Sequence, residues 1–249
     1  AGGRRGAQMG TFDVGHPDAI DFIRAKRENG RLRQFNLSLL VTDEFVEAVR
    51  GDTEWKLAFP MPAREYDPTQ HDLHDTKDFV WREWPDAEGY VANEDGLVAC
   101  KIYKIMPARR LWDVIMASTY DFAEPGFVLV DRVNEMNNNW WCENIRATNP
   151  CGEQPLPPHG ACLLGSINLA RLVRAPFEAG ARLDEQRLAA LTRTAVRLLD
   201  DIIDVSRYPL PAQRKEALAK RRIGLGVTGL ADALVQCGVR YGEPDAVRL

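Results

Sequence analysis

The chain has 249 residues, 45% hydrophobic and 27% charged, an ordinary balance for a folded protein with room for one large domain or two small ones. Its formal net charge of -4 gives no reason to expect a nucleic acid as the main partner, and no apolar run approaches the length of a membrane span. The first residues lack the apolar core of a signal peptide, and five cysteines, an odd number, suggest reduced thiols in the cytoplasm. The chain opens on Ala1-Gly2-Gly3 without an initiator methionine and reads as an internal stretch of something longer.

Residues 1–50 read as strand, helix, strand, helix. Pro17 suits the first turn of a helix, with Asp18 near its positive end and Ile20, Phe22 and Ile23 as apolar residues. Residues 27–33 (RENGRLR) form a polar turn around Gly30, and residues 34–41 a short strand. Thr42 is a good N-cap for the next helix, with Asp43 and Glu44 in its first turn. Residues 51–106 are the least readable. Pro60, Pro62, Pro68 and Pro85 argue for irregular structure, with an edge strand over 96–105. His71 and His74, three apart, lack supporting ligands and read as surface residues.

From Pro107 the pattern sharpens. A helix carries Leu111, Ile115 and Phe122, Glu124-Pro125-Gly126 ends it, and residues 127–130 read as a buried strand. Trp140 and Trp141 read as packing residues. Asp184 caps a long helix whose stripe of Leu188, Leu191, Ala195, Leu198, Ile202 and Val205 is assigned to the core, and Pro209 and Pro211 stop it. Gly224-Leu225-Gly226-Val227-Thr228-Gly229 matches the dinucleotide fingerprint. It has little strand before it, however, and no complete βαβ unit follows. A glycine-rich turn between strand and helix is the plainer reading, and a nicotinamide-dependent dehydrogenase the rival one.

The chemistry concentrates in residues 147–169, ATNPCGEQPLPPHGACLLGSINL. Successive side chains of an extended segment point to opposite sides, so Asn149, Cys151 and Glu153 would share one face. Pro150 and Gly152 between them suit a rigid loop that displays an amide, a thiol and a carboxylate. Cys162 follows just before an apolar run. Cys142, Cys151, His159 and Cys162 contain no closely spaced ligand pair, so no metal site is expected. Cys100, Cys142 and Cys237 read as inert apolar residues.

ATNPCGEQPLPP followed by GACLLGSINLA resembles the active-site segment of ribonucleotide reductase large subunits, most closely the adenosylcobalamin-dependent class II branch. Further matches are Arg4-Arg5-Gly6-Ala7-Gln8-Met9-Gly10, then Phe35-Asn36-Leu37-Ser38 with Val41-Thr42-Asp43-Glu44-Phe45, and finally Ile223 through Asp232 (IGLGVTGLAD). The four blocks fall in the family's order and reach from one end of the chain to the other.

Strands alternating with helices predict an α/β fold with a largely parallel sheet. The resemblance implies that residues 1–249 are part of a ten-stranded α/β barrel, with the cysteine on a central finger loop and 51–106 as a variable insertion. It implies radical reduction of ribonucleoside di- or triphosphates to deoxyribonucleotides, with a thiyl radical on Cys151, Glu153 as general base, Asn149 holding the ribose and Cys162 as one of two reducing thiols. The partner thiol of Cys162 lies upstream of Ala1 in the family. Lys26, Arg27, Glu28, Asn29, Gly30, Arg31, Leu32 and Arg33 fall where the family has its specificity loop for dNTP or ATP effectors. Adenosylcobalamin, a thioredoxin-like or other dithiol reductant and a homodimer are implied for the full-length protein. The alternative within the same family is a catalytically inactive fragment.

Overall fold

The computed structural model describes residues 6–27, 32, 34–84 and 87–249. The chain divides into two compact units, Ala1–Pro158 and His159–Leu249.

The first unit is organised by a parallel sheet. β1 (Gln8–Asp13) leads through α1 (Ala19–Arg24) to β2 (Phe35–Val41), and α2 (Asp43–Arg50) follows. Pro17 lies in the turn before α1, one residue ahead of the N-cap Asp18, whose side chain makes no capping bond. The Thr42 side-chain oxygen does cap α2, accepting the Phe45 N–H at 3.3 Å. Of β2, Leu37 to Val41 are all buried, as expected for a strand covered on both faces.

Residues 51–106 are only partly irregular: turns and isolated bridges fill most of the described stretches between three strands. β3 (Glu54–Pro60), β4 (Phe79–Arg82) and β5 (Val98–Pro107) form an antiparallel sheet in the order β3-β5-β4, so the predicted edge strand is the central one. Pro62 and Pro68 lie outside the strands, as proline content suggested, whereas Pro60 ends β3, a strand-end position where proline is tolerated. His71 is half-buried, its Nδ1 accepting the Asp67 N–H at 3.1 Å and its ring lying between those of Tyr66 and Phe79. His74 is exposed.

α3 (Ala108–Phe122) starts directly after Pro107, buries Leu111, Ile115 and Ser118 along one stripe, and stops at Ala123 in the left-handed region. β6 (Gly126–Leu129) pairs in parallel with β2, completing the order β1-β2-β6. It is an edge strand with Phe127 and Leu129 exposed, so the expected buried strand over 127–130 is corrected; Val130 is buried but already belongs to α4 (Val130–Glu135). Trp140 and Trp141 are 74% and 70% exposed and pack against little of this chain, contrary to expectation. β7 (Ala147–Thr148) and β8 (Pro155–Leu156) close a short hairpin.

Register separates the two faces of the parallel sheet. Phe12, Leu39 and Val41 share one face and enter the main core with Ile23, Phe45, Leu111 and Ile115 from the three helices. Met9, Thr11 and Asp13 pair with Asn36, Ser38 and Leu40 on the other face, which no helix of that core covers.

In the second unit, β9 (Leu163–Asn168) runs into a 3-10 turn (Leu169–Leu172), and β10 (Val173–Arg174) pairs with β11 (Arg182–Leu183). α5 (Glu185–Val205) is capped by Asp184, whose carboxylate accepts the Arg187 N–H at 3.0 Å. α6 (Pro211–Lys220), β12 (Ile223–Thr228), α7 (Leu230–Gln236) and α8 (Pro244–Arg248) complete it, with β12 parallel to β9. The predicted core stripe of α5 is displaced. Leu199 and Ile203 are buried, whereas Leu191, Leu198 and Val205 are exposed. Leu199 packs over Gly165 of β9, where a Cβ would stand 3.5 Å from its side chain, an ordinary contact distance. Gly224 and Gly226 lie inside β12, paired with Leu164 and Ser166, and only Gly229 occupies the turn into α7. A dinucleotide fingerprint needs its first glycines in that turn, so the dehydrogenase reading has no geometric support.

Candidate active site

The Asn149 to Gln154 loop is a tight turn. Asn149 donates its N–H to the Gln154 carbonyl at 3.3 Å and accepts the Gln154 N–H on Oδ1 at 3.0 Å, while the Gly152 N–H reaches the Asn149 carbonyl at 3.0 Å. Thr148 Oγ1 donates to that same carbonyl at 2.9 Å. Gly152 has φ +85°, a conformation that L side chains rarely adopt, and this explains the glycine. The expected extended zigzag is therefore corrected: Cys151 sits in a turn, and alternation of faces does not bring Asn149, Cys151 and Glu153 together. Asn149 is half-buried, while Cys151 and Glu153 are exposed.

Three side chains of the sheet face away from the helices hold the segment that carries the loop. Thr11 Oγ1 donates to the Arg146 carbonyl at 3.1 Å, Asp13 stands 3.7 Å from the Arg146 guanidinium, and Asn36 Nδ2 donates to the Pro150 carbonyl at 2.7 Å. Between loop and sheet lies a cleft of about 660 Å³ whose walls include Met9, Asn36, Ser38, Glu124, Arg132 and Cys151, but neither Asn149 nor Glu153. Its size suits a small organic ligand. Asn36 and Ser38 stand in one of the matching blocks but are assigned no role by sequence, although two polar residues at alternate positions of an apolar strand are a legible sign of a wetter face.

Cys162 belongs to the second unit, half-buried just before β9. Burial raises its pKa above the usual thiol value, and the Arg222 charge partly offsets this. Of the predicted effector segment, Lys26 is ion-paired with Glu124, the Arg27 guanidinium lies 5.6 Å from the Phe122 ring centre, and Leu32 has φ 51°. Glu28, Asn29, Gly30, Arg31 and Arg33 lie outside the described residues, as do Arg4 and Arg5 of the first matching block. Among the described residues no group of three His, Cys, Asp or Glu side chains is placed to hold a metal ion.

A second cleft, of about 830 Å³, lies near the carboxyl ends of the parallel strands and is lined by Asp13, Trp55, Trp81, Arg82, Trp84 and Asp131, among others. Both its arginines are engaged within the protein. Arg82 stacks 4.6 Å from the Trp55 ring centre and 3.7 Å from Glu44, and Arg146 faces Asp13. The cleft contains none of the candidate catalytic residues.

A mixed α/β framework places the exposed Cys151 at the wall of a cleft, on the side of the parallel sheet away from the α1–α3 core. The family model for the ribonucleotide reductase barrel domain matches residues 1–249, and the chain belongs to that family. It is 40% identical over its whole length to a vitamin B12-dependent ribonucleoside-diphosphate reductase of Mycobacterium tuberculosis (strain CDC 1551 / Oshkosh), of which it spans 30%. It is 35% identical to the protein of the same name from Thermoplasma acidophilum, spanning 27% of it. Over 99% of the chain it is 28% identical to a ribonucleoside-diphosphate reductase subunit alpha of Chlamydia pneumoniae, spanning 23% of that protein.

Proposed function

We propose that the full-length protein reduces ribonucleoside diphosphates to deoxyribonucleotides by radical chemistry, with Cys151 as the radical carrier. The observation that carries this reading is the Cys151 loop, pinned over a ligand-sized cleft on the sheet face opposite the α1–α3 core. The names of the two relatives at 35% identity or more support the diphosphate substrate and a B12 cofactor.

The residues fit adenosylcobalamin in one respect: Cys151 is exposed, so an external radical source can reach the thiol. When bound, that cofactor supplies the radical that makes Cys151 a thiyl. The thiyl then takes the 3′-hydrogen atom of the ribose, and Glu153 accepts the 3′-hydroxyl proton, as a positioned carboxylate can. Asn149 has spent its amide oxygen on the Gln154 N–H, so it offers its NH2 group to a ribose hydroxyl. The 2′-hydroxyl departs as water with a proton from one reducing thiol, and the other supplies the hydrogen that takes its place on the 2′ carbon. Cys162 and a second thiol, which we assign to no position of this chain, deliver two electrons and end as a disulfide. Cys151 finally returns a hydrogen atom to the 3′ carbon.

The chain is part of a ten-stranded α/β barrel, with the Asn149 to Gln154 loop as its finger. The parallel pairings of β1-β2-β6 and β9-β12 support this, as does a barrel-domain match covering the whole chain. The separate antiparallel sheet of β3, β4 and β5 supports residues 51–106 as an insertion. Residues 26–33 serve dNTP or ATP effectors, a dithiol protein recycles the disulfide, and the full-length protein is a cytoplasmic homodimer. No helix among the described residues is long and apolar enough to cross a membrane.

The test is deoxynucleotide formation by the full-length protein with adenosylcobalamin and a dithiol. Cys151→Ser should abolish it, because a hydroxyl cannot replace the thiol as radical carrier. Cys162→Ser should still permit hydrogen abstraction and substrate decomposition without yielding deoxynucleotide. Undiminished product from Cys151→Ser would overturn the assignment. The 249-residue chain by itself, spanning 30% of its relative, is expected to be inactive in multiple turnover.

A further inference from the structure

We infer that Asn36 is a positioning residue for Cys151, acting through the Pro150 carbonyl. Its Nδ2 donates to that oxygen at 2.7 Å across 114 residues of sequence. The carbonyl belongs to the peptide bond whose nitrogen is that of Cys151, so its direction sets the orientation of the Cys151 backbone. The ring of Pro150 already holds φ near -65°, leaving ψ as the one soft dihedral of that residue. A hydrogen bond to the carbonyl fixes ψ. On the other side of Cys151, the Gly152 N–H is tied to the Asn149 carbonyl at 3.0 Å. The thiol-bearing residue thus lies between two restrained peptide planes, one of them restrained from the sheet.

Asn36 is well placed for this role. It sits on the face that Thr11 and Asp13 also use to hold the same segment, but those two act on Arg146, four residues before Pro150. It also lines the cleft together with Cys151. The bond requires a donor at position 36. Aspartate has the same shape but at neutral pH can only accept, and it would face the carbonyl oxygen with negative charge.

This inference rests on Cys151 as the radical carrier, and its test separates the two. In the full-length protein, Asn36→Asp and Asn36→Ala should both lower kcat strongly, up to about 100-fold for a displacement of about 1 Å, with KM changed far less. Their thermal midpoints should match the parent, whereas a merely structural role would lower both quantities together. Thr11→Val, which releases a more distant anchor, should cost much less in kcat. Amide hydrogen exchange at residues 151–153 should quicken in both Asn36 variants, a readout independent of turnover. Parental kcat in Asn36→Asp alongside an inactive Cys151→Ser would overturn the role of Asn36 alone. If Cys151→Ser keeps its activity, the functional reading fails instead, and unchanged exchange at 151–153 would then still count against Asn36.

Discussion

Asn149 and Gln154 bond to each other twice: the Gln154 N–H meets Asn149 Oδ1 at 3.0 Å, and the Asn149 N–H meets the Gln154 carbonyl at 3.3 Å. One residue therefore closes the loop that carries Cys151 with both its backbone and its side chain. Asn149→Asp keeps the acceptor and loses the outward NH2, so the loop should stay closed while substrate KM rises in the full-length protein. Asn149→Leu removes the acceptor and should destabilise the loop by about 1 kcal/mol. Hydrogen exchange at Gln154 reads the difference. Equal exchange in the two variants would show that the side chain plays no part in closing the turn.

The cysteines should label in a fixed order. Cys142 and Cys151 are exposed, Cys162 is half-buried with a raised pKa, and Cys100 is fully buried with its thiol pushed up to about 11. Iodoacetamide at pH 8 should modify the first two readily and Cys162 more slowly, leaving Cys100 untouched until the protein unfolds. Arg222→Ala should slow Cys162 further, since it removes the charge that favours the thiolate. For Cys100 the folded pKa lies above the unfolded one. Its contribution to stability is then intact below the unfolded value and is lost as pH rises towards 11. Cys100→Ala should flatten the alkaline limb of the stability curve, and an unchanged limb would argue against this.

Glycines of the 224–229 motif should differ sharply. Gly229 has φ +67°, and a Cβ there would come within 2.5 Å of Asn168 Oδ1 and 3.3 Å of the Ala170 nitrogen. Gly229→Ala should cost about 1–3 kcal/mol in thermal or urea unfolding. At Gly226 the nearest such atom is 3.9 Å away, so alanine should be tolerated within about 1 kcal/mol. NADH should bind neither the parent nor either variant. A larger loss at Gly226 than at Gly229 would restore a role for the fingerprint.

Local chemistry was legible along much of the chain. Thr42 and Asp184 both cap their helices as their residue types suggested, because a cap is made by residues a few positions apart. The alternation of strand and helix in the first fifty residues also followed from short-range pattern. The order of four matching blocks identified the family, and the chain's match to the barrel domain bears that out.

Choices between equivalent local patterns were decided by distant partners. The helix over 185–205 carries the adjacent pairs Leu198-Leu199 and Ile202-Ile203, so more than one apolar stripe satisfies the helical period. Packing against β9, another element, decided for Leu199, which lies over Gly165. The strand over 98–107 is central because β3 and β4 pair on either side of it, and a strand's own residues do not encode how many neighbours it has. The same holds at the site. Sequence singled out Cys151 by the residues beside it, but Asn36, 114 positions away from Pro150, reached it only through the sheet. The sequence by itself determined which residues carry thiols and carboxylates and where the capped helices α2 and α5 begin. The tertiary structure decided which face each element buries and which distant side chains hold the reactive loop, because burial and long-range hydrogen bonds depend on partners that no local pattern specifies.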